Sequence, residues 1–261
     1  MRPRIIGMMM VKNEDIFIHG AIKSVIDFVD ELHVIDTGST DKTKDIVLDL
    51  QHRYGSERIW RHSEYRLDRT HELVEQYIGK DYWLFGCDGD EIYDAERLGW
   101  LRKQIMDGRF ENAFQIRGRF IHVTELDTTA RGFFVTGYKG PPSHAPSKLY
   151  NFAMVGAWPA DWRHTLFHAK TLQVVPRAIT ELNTDCMVCY HMRFFRRSTI
   201  EKSHGARLTP EDIQGFGSRK DRGGSDKRNE RLSYRQGPIE VEAVSEATWK
   251  NITGGIDAAG T

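Results

Sequence analysis

WLFGCDGDEIYD, residues 83–94, carries an apolar run to its end and then places Asp88, Asp90 and Glu91 within four positions, with Gly89 between the first two. The run from Tyr82 to Cys87 has the composition of a strand buried on both faces, and such strands belong to sheets covered by helices. Carboxylates this close repel one another unless water, a cation or a charged partner neutralises them. In an open parallel sheet, ligands bind beyond the carboxyl ends of the strands. The stretch therefore reads as a ligand-facing strand end. A hard divalent ion, Mn2+ or Mg2+, is the expected neutraliser, because it takes carboxylate oxygens and leaves positions open for phosphate. The competing reading has Asp88 and Glu91 merely starting a turn and capping the helix that follows Asp94.

Upstream, strands and helices alternate. Ile5 to Val11 is a continuous apolar run, and Asp15 to Val29 repeats apolar residues at Ile18, Ala21, Ile22, Val25, Ile26 and Val29, a helical stripe. Leu32 to Ile35 reads as a strand and Asp41 to Leu50 as a helix, with Ser39, Thr40 and Asp41 as candidate caps. Arg58 to Arg61 is a short strand, and Asp68 to Ile78 a helix. This alternation predicts an α/β fold with a mostly parallel central sheet flanked by helices. Three polar clusters then end strands: VKNED at 11–15, DTGSTD at 36–41 and DGDE at 88–91. A parallel sheet would bring them to one rim.

Downstream, Ala95 to Met106 reads as a helix, Ala113 to Val123 as an alternating antiparallel strand, and Lys148 to Phe152 as a further strand. Residues 124–147 are expected to form a lid or acceptor-side loop. Gly215 to Gly237 is Gly-rich and mostly basic, which predicts a solvated tail, with contact to an acidic surface as its functional alternative. Lys plus Arg and Asp plus Glu each number 37, so net charge gives no reason to expect a nucleic-acid partner. The N-terminal apolar run stops by Val11, short of a signal peptide, and no apolar segment approaches the roughly 20 residues of a membrane span. Cys186 and Cys189 form C-x-x-C, but no second pair completes a zinc site. The expected location is cytoplasmic, with at most a peripheral membrane contact through the basic tail.

The stretch MMMVKNEDIFIHGAIKSVIDFVDELHVIDTGSTDKTKDI, followed at Asp88 by DGDE, resembles the nucleotide-sugar-binding half of family-2 glycosyltransferases, which have the GT-A fold. Strands running into V-K-N-E, D-T-G-S-T-D and D-x-D, in that order, carry the resemblance over residues 4 to 97. It implies a GT-A-like, Rossmann-related sheet with a nucleotide-sugar-binding half at 1–97, an acceptor-side half at 98–200 and a helical or irregular extension at 201–261. It implies a UDP-, GDP- or dTDP-linked sugar donor and a glycan or other hydroxyl acceptor. Val11, Lys12, Asn13 and Glu14 would line the nucleoside, Asp36 would meet its base or ribose, and Arg69 would face the diphosphate. Asp88 would reach ribose and metal, Asp90 would bind the metal, and His191 would complete the metal site. Thr37 stands where many relatives have a second Asp that reads uracil, which leaves the base open.

The implied reaction inverts the sugar, so one carboxylate suffices as base. Asp161 in GAWPADWRH is the candidate, an acid among tryptophans whose partial burial would raise its pKa; Asp127 and Glu125 are its rivals. His164 and His168, four apart, are a further possible metal pair, and Arg193, Arg196 and Arg197 could balance diphosphate charge. Two alternatives stay open. A nucleotidyltransferase making the activated sugar usually has a Gly-rich G-x-G-T-R stretch after the first strand, which VKNE lacks. A non-catalytic nucleotide-sugar-binding module would keep Asp36 and Asp88 without a base.

Overall fold

The computed structural model describes residues 2–63, 70–139, 147–157, 173–174, 180–200 and 239–259. In chain order the elements are β1 (Arg4–Val11), α1 (Ile18–Val25), β2 (Glu31–Asp36), α2 (Thr43–Tyr54), β3 (Ile59–His62), α3 (Thr70–Val74, continued as a 3-10 turn Glu75–Tyr77), β4 (Tyr82–Asp88), β5 (Glu91–Tyr93), α4 (Ala95–Met106), β6 (Ala113–Thr129), β7 (Gly132–Lys139), β8 (Ser147–Asn151), β9 (Val155–Ala157), β10 (Gln173–Val174), β11 (Thr180–His191), β12 (Ile239–Val244) and α5 (Glu246–Ala259). The main sheet runs β12-β7-β6-β8-β4-β1-β2-β3, with β11 against β6 and β5 against β11. Strands β3, β2, β1 and β4 are parallel, as the alternating first half requires. β8 enters antiparallel to β4, and β6, β7 and β12 continue antiparallel in turn.

β1 sits at the centre because both of its faces are apolar. Ile5, Met9 and Val11 join the cluster under α1 and α4, while Ile6 and Met8 join Ile35, Leu84 and Tyr150 on the opposite face. Each such fully buried side chain contributes about 1.5–3 kcal/mol, which fixes the strand's position but not its chemistry. Helix α5 lies on α1 backbone to backbone: a Cβ on Gly20 would come within 1.7 Å of the Asn251 carbonyl oxygen. Only glycine permits that approach.

The last strand is fixed by charge as well as by pairing. Arg119 bridges Glu240 at 3.0 Å and Glu242 at 2.7 Å, Lys139 meets Glu240 at 3.0 Å, and Arg97 meets Glu242 at 3.0 Å. The expected lid is corrected here: residues 124–139 are the end of β6 and all of β7, a hairpin turning between Thr129 and Gly132. Alternation persists past Val123, and β12 gives the hairpin's outer edge a partner, so a strand satisfies more backbone groups than a loop would. The basic segment 215–237 lies outside the described residues, as do Arg69, Asp161, His164 and His168. No helix among the described residues is long and apolar enough to cross a membrane. Cys87 and Cys189 are buried thiols.

The edge of the parallel half carries a pH-sensitive contact. His33 Nδ1 and His62 Nε2 are 3.0 Å apart with their rings stacked. Burial, and then the His62 charge, push the His33 pKa down to about 4, against 6.5 for the free side chain. The unfolded chain therefore takes up a proton that the folded ring refuses. Stability from this site is full above pH 6.5 and is lost as the pH falls toward 4, by about 3 kcal/mol in total. Urea midpoints measured across that window are expected to fall more steeply for the parent than for His33→Phe.

Candidate functional site

The three polar clusters meet on one edge. Register pairs Met10 with Asp88 and Val11 with Asp36, so the ends of β4 and β2 flank the end of β1. A cleft of about 390 Å3 opens there, lined by Met10, Val11, Lys12, Glu14, Thr37, Asp88, Asp90, His191, Arg193 and Arg197. Gly89 makes this edge possible: a Cβ there would press to 2.9 Å from Glu14 Cγ and 3.0 Å from Val11 Cγ1. A side chain between the two aspartates would displace the first cluster from the third.

Asn13 and Asp36 shape the loops rather than line the cleft. The Asn13 amide donates to Ser39 Oγ (2.9 Å) and its Oδ1 accepts from the Thr40 amide (2.8 Å), tying the first cluster to the second. Asn13 holds this position with φ at 55°, a conformation asparagine tolerates better than most residues. Asp36 Oδ1 accepts from the amides of Gly38 and Ser39, each at 2.7 Å, while Oδ2 is buried with no hydrogen-bond partner among the described residues. Thr37 presents itself to the cleft instead, its hydroxyl donating to the Val11 carbonyl at 3.2 Å.

The acidic cluster is not spent on capping. Asp94 caps α4 itself, accepting from the amides of Glu96 and Arg97 at 3.1 Å each. Glu91 is 2 % exposed and accepts from Tyr93 Oη (2.9 Å) and the Asp88 amide (3.1 Å). Its cation is Lys148, whose Nζ stands 3.0 Å from Glu91 Oε1 and 3.4 Å from Asp88 Oδ2. Lys148 was not visible as a site residue in the sequence. It follows a Pro-rich stretch and reaches the cluster only because β8 runs antiparallel to β4, pairing Leu149 with Phe85.

Asp90 lies at the floor, 3 % exposed, with its Oδ2 at 3.3 Å from His191 Nε2. Asp88 is more open, at 38 %. Among the described residues no three His, Cys, Asp or Glu side chains are already gathered in a ligating arrangement. The donor set nonetheless fits a hard ion. Asp90 Oδ2 and His191 Nε2 stand 3.3 Å apart with Asp88 beside them in the cleft lining, the carboxylate and imidazole donors that would hold such an ion.

The chain following His191 folds back over this floor. The Met192 amide donates to the Asp90 carbonyl (2.9 Å), and Arg197 Nη1 donates to Glu14 Oε1 (2.8 Å). Beyond it, Thr199 donates to Asp15 through its amide (2.8 Å) and hydroxyl (2.5 Å), and Ser198 Oγ donates to Asp41 Oδ2 (2.5 Å). Arg193 and Arg197 therefore belong to the cleft wall, whereas Arg196 turns onto the carbonyls of Ser198 and Thr199. Glu125 and Asp127 lie exposed on the outer part of β6, away from the cleft lining. A second cavity of about 410 Å3, between α1, α2 and α5, backs onto the Asp15–Thr199 contact. It holds neither Asp88 nor Asp90.

A solved structure of glucosyl-3-phosphoglycerate synthase from Mycobacterium tuberculosis, in complex with Mn2+, UDP and glucosyl-3-phosphoglycerate, is 20% identical over 45% of this chain and 44% of its own, with a TM-score of 0.33. S. aureus TarS 1-349 is 14% identical over 72% of this chain and 60% of its own, with a TM-score of 0.44. The match thus spans less than half the length of the first of these structures. No curated protein matches the sequence. The model of the family described as Glycosyl transferase family 2 matches residues 8–203, from the end of β1 past the Asp90–His191 contact, and the chain belongs to that family.

Proposed function

We propose that this chain moves a sugar from a nucleoside diphosphate sugar to a hydroxyl acceptor, with inversion, using Mn2+ or Mg2+ held by Asp88, Asp90 and His191. The observation that carries this reading is the convergence of Asp88, Asp90 and His191 in one cleft at the rim of the parallel sheet, beside Arg193 and Arg197. When bound, the ion supplies Lewis-acid stabilisation of the departing diphosphate. The chain's own residues do the rest. Val11, Lys12, Glu14 and Thr37 line the nucleoside end of the cleft, and Arg193 and Arg197 add positive charge at its wall. Arg69 would add a further cation toward the diphosphate, and Asp36 would act on base or ribose through the turn it holds at Gly38 and Ser39. Asp161 would take the acceptor hydroxyl's proton as the attack proceeds.

Release of nucleoside diphosphate from a panel of UDP-, GDP- and dTDP-sugars, with candidate acceptors, tests the reading. Asp161→Asn is expected to lower turnover by about 10²–10⁴-fold, with donor binding retained. Turnover at the parental rate in this variant would remove Asp161 as the base. Binding of a donor without its consumption, even as slow hydrolysis, would favour a binding module.

A further inference from the structure

His122 on β6 and His191 on β11 are register partners in the sheet. Their Nδ1 atoms are 3.1 Å apart. His122 is 6 % exposed and its ring lies flat on Phe120, with centroids 5.7 Å apart and planes 6° from parallel. Two ring nitrogens in such contact hold one proton between them, so one ring donates and the other accepts. On its far side, His191 turns Nε2 toward Asp90 and the cleft.

A histidine ligates a metal through a nitrogen that carries a lone pair, and a neutral imidazole carries a single proton. If Nε2 of His191 is the ligating atom, its proton stays on Nδ1. The group facing Nδ1 must then be an acceptor, which leaves His122 with its own proton on Nε2. We propose that His122 is a positioning residue for the ion: it accepts the His191 Nδ1–H, selects the tautomer whose Nε2 is free to ligate, and fixes the plane of the ring. This rests on the reading of Asp88, Asp90 and His191 as the metal site. Partners of this kind raise metal affinity by orienting the ligand, without touching the ion.

Binding of Mn2+ to the full chain, followed by the electron paramagnetic resonance of the free ion at fixed UDP, tests both levels without an activity assay. His122→Phe keeps the stack on Phe120 and removes the acceptor, and His122→Asn keeps an acceptor and removes the stack. The Phe variant is expected to bind Mn2+ about 10–100-fold more weakly, and the Asn variant to stay within about 3-fold of the parent. A packing role gives the reverse order, with Phe near the parent and Asn weakened, and overturns the proposal. Equal affinity in all three overturns it too, whereas a parent that binds no Mn2+ removes the metal site itself. If the Phe variant does not fold, His122→Leu takes its place; it loses both acceptor and stack, so a weakened Leu variant beside a parent-like Asn variant supports the proposal, and weakening of both overturns it.

Discussion

Lys148→Met is expected to destabilise the fold by about 3–5 kcal/mol, the effect of removing one partner from a buried ion pair. Glu91 and Lys148 have side chains only 2 % and 9 % exposed. Burial alone would push the Lys148 ammonium down, but Asp88 and Glu91 outweigh it and hold the group above the ordinary lysine range. Burial likewise pushes the Glu91 carboxyl up, with Lys148 the strongest influence pulling it back. With Lys148 gone, Glu91 either ionises in a low-dielectric site or takes up a proton, and the loop from Asp88 to Tyr93 loses its anchor. Lys148 also offsets the charge of Asp88 at the cleft, so the loss extends to the shape of the cleft. Urea denaturation of Lys148→Met, Glu91→Gln and the double variant separates the terms. The double variant is expected to recover most of the loss, because it leaves neither member of the buried Glu91–Lys148 pair charged without the other. Additive losses would mean that the pair is not what holds β8 to this end of β4.

Asp90→Asn is expected to lower turnover by about 10²–10³-fold, the scale of removing one electrostatic stabiliser of a developing charge. The substitution is nearly isosteric, and an amide can still meet His191, so the fold is expected to stay within about 1 kcal/mol of the parent. What changes is one unit of charge at the floor of the cleft. Asp36→Asn provides the contrast. Its Oδ1 analogue can still accept from the Gly38 and Ser39 amides, so the turn is kept. Turnover by Asp90→Asn equal to the parent would take Asp90 out of the machinery.

What the sequence made legible were the strand ends of its first half. β1 and β4 are apolar runs, and β2 one broken only by His33, because both faces of the sheet are covered, and the helix at Ala95–Met106 falls where the periodicity puts it. The order of the acidic and polar clusters was legible for the same reason. The direction of a carboxylate was not: Asp36 and Asp88 both end strands, yet one folds into its own turn and the other faces the cleft. Nor were partners that meet only through sheet pairing. Lys148 reaches Asp88 across 60 positions, and His122 reaches His191 across 69. The strand character of 124–139 was hidden by its exposed outer half, since alternation there lacks a strong apolar face, and its edge is completed by β12 more than a hundred residues later.

Thermal melting with UDP, GDP and dTDP, each with Mn2+ and with EDTA, tests the account most directly. A nucleotide at about 100 times its Kd stabilises by about 2.7 kcal/mol, which for a chain of this size raises the Tm by about 5–10 °C. The prediction is that at least one diphosphate nucleotide gives this rise with Mn2+, that EDTA removes it, and that Asp90→Asn removes it as well. A rise of equal size in the parent and in Asp90→Asn, or no rise with any of the three nucleotides in Mn2+, would contradict it.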